Sequence, residues 1–198
     1  MKIYDITRAL QDAPLYPGTE PPVLEPVAGI ETRGWRETRV TAWSHSGTHA
    51  DAESHFLPDG AAIDAMPLES YCGACRVLTV SGGELVRAEE LQGRIAGAER
   101  IVLRTGGARY LCEQAADYLA ECGVKLLVTD ALSVAPPDNE AAVHVILARG
   151  GVAVVENAVL DGVEDGDYLI FAFPAKYAGC DAAPVRAVLL QSDEEGAL

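Results

Sequence analysis

The stretch WSHSGTHADAESHF, residues 43–56, carries three of the four histidines of a 198-residue chain. His45, His49, Asp51 and His55 follow one another at spacings of four, two and four. Imidazole and carboxylate groups with no thiol in the stretch form a donor set suited to a divalent ion such as zinc or manganese. Gly47 and Thr48 lie between the first two histidines. Glycine lets the backbone bend tightly there, and threonine can hydrogen-bond a neighbouring carboxylate or backbone group. The plainer alternative is a surface loop with three unrelated histidines. Their clustering beside an aspartate, in a chain otherwise poor in histidine, favours metal binding.

The fourth histidine, His144, sits among Val143, Ile146 and Leu147. Taken alone it is as readily a structural residue packed with its apolar neighbours. Twelve residues later, Glu156 ends the apolar run VAVVE. A carboxylate at the end of a buried strand needs a partner, because burying an unpaired charge is costly. Ligands gather at strand ends in α/β sheets. A cation shared by His144 and Glu156 would satisfy both.

These groups must be carried by regular elements. Residues 32–45, rich in threonine and tryptophan with rough alternation, read as strands. Residues 75–80, 100–105 and 124–130 read as further strands. Between them, residues 88–97 have helical spacing through Leu91 and Ile95. Residues 108–123 place Leu111, Ala115, Tyr118, Leu119 and Cys122 on one helical face, and Gly123 stops the helix. DNEAAVHVILARGG, residues 138–151, reads as a short helix capped by Asp138. Strands follow at 152–157, 167–175 and 184–191. The proline-rich PLYPGTEPP, residues 14–22, reads as an extended arm. The expectation is a mixed α/β (α+β) single domain over residues 1–198, with a largely β beginning and end.

Composition narrows the partners. The formal net charge of −15 argues against nucleic acid and against anionic membrane surfaces. No apolar run approaches the roughly 20 residues of a membrane span. The opening MKIYDITRAL lacks the apolar core of a signal peptide, so a cytoplasmic location is expected. Five cysteines form no regular framework and read as reduced thiols. CGAC at 72–75 has redox spacing but heads an apolar run, so it reads as strand residues. RTGG at 104–107 lacks the further glycines and the lysine of a phosphate loop and reads as a plain turn.

HSGTHADAESH at 45–55 resembles the motif H-x-G-T-H-x-D-x-P-x-H of the metal-dependent cyclase family, which includes bacterial kynurenine formamidases (arylformamidases) and isatin hydrolase. The likeness extends to YDITRAL and PLYPGTEPP near the start, HVILARGGVAVVEN, and FPAKYAGCDAAPVRAVLL near the end. It implies a swivelling β/β/α fold and a homodimer or higher assembly. It implies one or two divalent ions, zinc ahead of manganese, held by His45, His49, Asp51, His144 and Glu156, with His55 as acid/base. It further implies hydrolysis of a non-peptide C–N bond in a small aromatic amide of the N-formylkynurenine type, a step of tryptophan catabolism. The alternatives are a lactam, lactone or ester substrate, a carbinol dehydration, or a metal-binding homologue without catalysis. Tyr16 falls where the formamidases carry a substrate-stacking tryptophan. Glu53 replaces the motif's proline, and either adds a ligand or negative charge near the ions, or points to solvent.

Overall fold

The computed structural model describes residues 1–95 and 97–191. Among them, thirteen strands run in chain order: β1 (Lys2–Asp5), β2 (Val23–Ala28), β3 (Glu37–Thr41), β4 (His49–Asp51), β5 (Cys72–Thr79), β6 (Leu85–Val86), β7 (Arg100–Arg104), β8 (Tyr110–Leu111), β9 (Leu126–Thr129), β10 (Ala153–Glu156), β11 (Gly166–Phe171), β12 (Ala182–Pro184) and β13 (Val188–Gln191). The α-helices among the same residues are α1 (Ile30–Arg33), α2 (Ala88–Leu91), α3 (Glu113–Glu121) and α4 (Glu140–Arg149).

Nine of these strands form one mixed sheet in the order β1-β13-β11-β5-β7-β9-β10-β4-β12. Its centre, β5-β7-β9-β10, is parallel. Antiparallel strands flank it on both sides. Strands covered on both faces need apolar residues at successive positions, and IVL in β7, LLV in β9 and AVV in β10 supply them. Alternation sends neighbours to opposite faces. Leu78, Ile101, Leu127 and Val154 pack with Leu119 of α3 and with Val143 and Leu147 of α4. Val77, Val102, Val128 and Val155 instead join Ala50 of β4, Ala183 of β12 and Leu189 of β13. Strands from both ends of the sheet thus share one core, so the sheet curls over it. This is the mixed α/β fold the sequence predicts.

Several boundaries differ from the sequence reading. The helix expected at 88–97 stops after α2, where Gln92 turns extended and Gly93 takes φ +73°; Ala96 of that stretch lies outside the described residues. Leu91 and Ile95 are still both buried, because the following turns keep them in the core. The helix expected from 108 starts only at Glu113. Residues 110–111 pair with β6 instead, so Leu111 reaches the core from a strand. Asp138 is not the cap of α4; Asn139 holds that position, without a side-chain cap bond. The chain over 184–191 divides into β12 and β13 around the isolated bridge between Pro174 and Val185.

Cys72 and Cys75 both lie on β5, three residues apart and therefore on opposite faces. Among the described residues all five cysteines are free. The RTGG turn offers a phosphate nothing, because the amides of Thr105 and Gly106 already donate to Asp130. Among the described residues no helix is long and apolar enough to cross a membrane.

Gly150, directly after α4, packs against Ala120 of α3. A Cβ there would stand 2.4 Å from the Cβ of Ala120. Gly150 has φ −78°, so alanine brings no backbone strain and only volume. Gly150→Ala is expected to destabilise the fold by ~1–3 kcal/mol through overpacking. The check is a lowered urea midpoint with unchanged slope; an unshifted midpoint would show that the helices separate without cost.

Candidate metal centre

Strand β4 explains the His-x-Asp spacing. Residues two apart on a strand share a face, so His49 and Asp51 point one way while Ala50 enters the core. Antiparallel pairing with β10 sets His49 opposite Glu156 and Asp51 opposite Val154. On the other side β12 pairs with β4, placing Ala182 opposite Asp51. His144 approaches from α4, and its ring stacks on Phe56 with centroids 4.4 Å apart.

The turn before β4 is tied down by its small residues. Gly47 has φ +72°, and its carbonyl accepts from Nδ1 of His49 at 3.0 Å. The Thr48 hydroxyl donates to the carbonyl of Asn157 at 2.7 Å and accepts from the amide of Arg8 at 2.8 Å. Asn157, directly after β10, is left-handed at φ 59°, a conformation asparagine tolerates. Thr48 therefore binds the histidine turn to the strand end that carries Glu156.

The donors converge in two groups that share Asp51. Its Oδ1 lies 3.0 Å from Nδ1 of His45 and 3.4 Å from Nε2 of His49. Its Oδ2 lies 3.6 Å from Nε2 of His144, and that nitrogen is 3.3 Å from Oε1 of Glu156. Oε2 of Glu156 is 3.6 Å from Nε2 of His49. His49, Asp51, His144 and Glu156 are all buried, and His45 is three-quarters buried at its side chain.

These atoms fit a divalent cation on three independent grounds. Tetrahedral ligands about 2.0–2.1 Å from zinc stand about 3.3 Å from one another, close to the separations seen here. Nε2 of His49 and Oδ1 of Asp51 are buried with ionic neighbours but without an aligned hydrogen bond, a state that is costly unless something else satisfies them. Each ligand-type histidine also has its second ring nitrogen engaged, as metal-binding histidines do. Nδ1 of His49 meets the Gly47 carbonyl, Nδ1 of His144 the Glu140 carbonyl at 2.8 Å, and Nε2 of His45 the Asp181 carboxylate at 3.2 Å. Oε1 of Glu156 is oriented by the amide of Val134 at 2.7 Å. Two carboxylates at the centre of this set call for positive charge. Burial lowers the pKa of His45, yet Asp51 and then Asp181 raise it to about 9. Burial likewise lowers that of His144, and Glu156 followed by Asp51 raises it to about 9. Asp51 is penalised by burial but held well below the usual carboxylate range by His45 and His49.

His55 stands beside this set, in a single 3-10 turn over Glu53–His55. Its ring lies 4.2 Å from that of His45. Burial lowers its pKa, with His45 and His144 adding to the effect against Asp51 and Asp181. Of the four histidines it is the one whose pKa is shifted down. Glu53 neither points to solvent nor joins the donor groups: its Oε2 accepts from the amide of Ala61 at 3.1 Å. That bond closes the loop after His55, where Gly60 packs so tightly that a Cβ would stand 2.5 Å from the Glu53 carbonyl carbon. Tyr16 donates its hydroxyl to Oε2 of Glu140 at 2.6 Å, one helical turn before His144. The arm thereby reaches the edge of the site in its own subunit.

One neighbour of the site is absent from the sequence reading. Asp181, just before β12, lies 3.2 Å from His45 and 3.5 Å from His55. Asp181 is one of 30 acidic residues and follows no spacing rule. Only the pairing of β12 with β4 brings it to the histidines.

A curled mixed sheet with buried imidazole and carboxylate donors at the β4–β10 pair defines a metal-dependent hydrolase scaffold. The chain belongs to the cyclase family: residues 4–136 match the family model described as "Putative cyclase". That match includes the histidine motif and ends before His144 and Glu156. The kynurenine formamidase of Maricaulis maris is 37% identical, covering 95% of this chain and 97% of its own. That of Bacillus cytotoxicus is 38% identical, with 76% and 78% covered. A "predicted metal-dependent hydrolase from Bacillus stearothermophilus" superposes with a TM-score of 0.82 at 26% identity, over 95% of this chain and 97% of that one. An isatin hydrolase bound to a product analogue shares the fold, with a TM-score of 0.84 at 18% identity over 96% and 92%.

Elemental analysis tests the donor set. Zinc-reconstituted protein is expected to hold bound metal, to lose it in His49→Ala, and to melt at lower temperature after chelation, since ligand binding to the native state stabilises it. Equal metal content in both proteins would remove His49 as a ligand.

Proposed function

We propose that this chain is a metal-dependent arylformamidase-type hydrolase, cleaving the C–N bond of a small aromatic amide such as N-formylkynurenine. The observation that supports it most is the partly exposed ring of His55, 4.2 Å from that of His45 and beside five convergent donors. A purely structural metal site has no need of that ring. The substrate class comes from the formamidase relatives, which match over most of their length.

In this reading His45, His49, Asp51, His144 and Glu156 hold one or two divalent ions, zinc before manganese. Such an ion supplies Lewis acidity, polarising a carbonyl and making water acidic enough to attack near neutral pH. His55 accepts a proton from the attacking water as the C–O bond forms. It then gives that proton to the departing aryl nitrogen as the C–N bond breaks, releasing formate and the amine. Burial keeps the ring unprotonated and ready to accept. The ring of Tyr16, pinned by Glu140, forms part of the wall against which the aromatic group lies. Its hydroxyl is already used by Glu140, so it contributes a face and not a donor.

His55→Ala is expected to keep its metal and lose turnover by roughly 10²–10⁴-fold. Loss of metal would make His55 a ligand, and unchanged turnover would assign proton transfer elsewhere.

The working form in this reading is a homodimer or larger. Strands β2 and β3 form a separate two-stranded sheet, a unit that is only marginally stable by itself. Val23, Val27, Ile30, Trp35, Val40 and Trp43 are exposed on it or beside it. An apolar surface of this kind marks an interaction site, and a second copy is the occupant we assign. Sedimentation at micromolar concentration is expected to show no dominant 20.9 kDa monomer. A clean monomer would overturn the assignment.

A further inference from the structure

We propose that Asp181 is a positioning residue whose carboxylate sets the tautomers of His45 and His55 together. The inference rests on the hydrolase reading for its kinetic consequence but not for its chemistry.

The Asp181 side chain is half exposed, but its backbone is held in the sheet and one of its oxygens is anchored. Its Oδ1 accepts the hydroxyl of Ser44 at 3.0 Å. The backbone carbonyl of Asp181 accepts the amide of Ala52 at 2.9 Å, and Ala182 pairs with Asp51 across β12 and β4. That leaves Oδ2, which lies 3.2 Å from Nε2 of His45 and 3.5 Å from Nδ1 of His55. The two rings sit 4.2 Å apart and are tilted by 37°, so one oxygen faces a nitrogen of each.

An ionised carboxylate only accepts hydrogen bonds. Each nitrogen that faces it must therefore carry the hydrogen. A neutral imidazole has one N–H, so its other nitrogen is left with a lone pair. For His45 the Nε2 hydrogen goes to Asp181, and Nδ1, which faces Asp51 and the donor cluster, is the nitrogen that an ion held there would take. For His55 it is Nε2, the atom available to take a proton from water. One carboxylate thus prepares a ligand and an acid/base at once. The 3.5 Å separation is long for a hydrogen bond, as catalytic contacts often are before substrate binds.

The test is nitrogen-15 NMR of the histidine rings in zinc-loaded protein, in wild type and in Asp181→Asn. Wild type is expected to show His55 with hydrogen on Nδ1 and a bare Nε2. In Asp181→Asn the His55 signals should move toward the other tautomer or a mixture. The same variant should keep its zinc and its KM while kcat falls roughly 10–100-fold, the usual size of an outer-shell effect. Ser44→Ala, which removes only the Oδ1 bond, should move the same signals less. An unchanged His55 tautomer in Asp181→Asn would overturn the proposal. So would loss of one zinc equivalent from Asp181→Asn and His55→Ala alike, since His45, His55 and Asp181 would then be a metal site. A tautomer change in a protein that hydrolyses no aryl formamide would uphold Asp181's role and defeat the arylformamidase reading.

Discussion

Asp51 is a carboxylate buried among three imidazoles. Removing one such charge from water costs several kcal/mol even after relaxation. Nothing in the apolar core beneath it can return that cost, so positive charge must come from the side that β4 faces. The surroundings are arranged accordingly. His45 and His49 approach one oxygen, His144 approaches the other, and Glu156 adds a second carboxylate that deepens the demand. A sheet that curls until β4 lies against β10 is what makes this concentration of charge possible.

The same pairing shows why parts of the site are legible in the sequence. A strand repeats every two residues, so His-x-Asp reads directly as two side chains on one face. Glu156 is legible because it ends a run of apolar residues that only a buried strand explains. His144 is legible through its neighbours, since a helix packed on the sheet must turn some side chains toward the strand ends. Each of these inferences uses one local period and one cost of burial.

What escaped depends on contacts between distant segments. Asp181 meets His55 only because β12, three residues long, pairs beside β4. Glu53 shows the same limit at closer range. From the sequence its charge two residues from Asp51 fits either a place near the ions or one facing solvent, but the loop folds back so that its carboxylate holds the amide of Ala61. Proline in that place stiffens the chain through φ; glutamate here restrains the loop through a hydrogen bond. Among the secondary structure, the misplaced boundaries share one cause. Leu91, Ile95 and Leu111 have helical spacing, yet turns and the short β6–β8 pairing bury them equally well, because apolar spacing reports burial before it reports backbone.

Glu140 joins the site to the arm in a way that neither element reveals alone. Its backbone carbonyl accepts from Nδ1 of His144, which leaves Nε2 facing Glu156 and Asp51. Its carboxylate accepts from the hydroxyl of Tyr16. The carbonyl contact is set by the helix, where residues four apart meet on one face, while the carboxylate contact is set by the arm. One residue therefore orients a metal-type donor from one end and holds Tyr16 of the arm from the other. A tryptophan at position 16 would present an indole N–H in place of the phenol, on a differently shaped ring. The tyrosine of this chain trades aromatic area for a defined bond to the helix that carries His144. The arm's place at the site edge is thus held by the same first turn of α4 that sets the histidine.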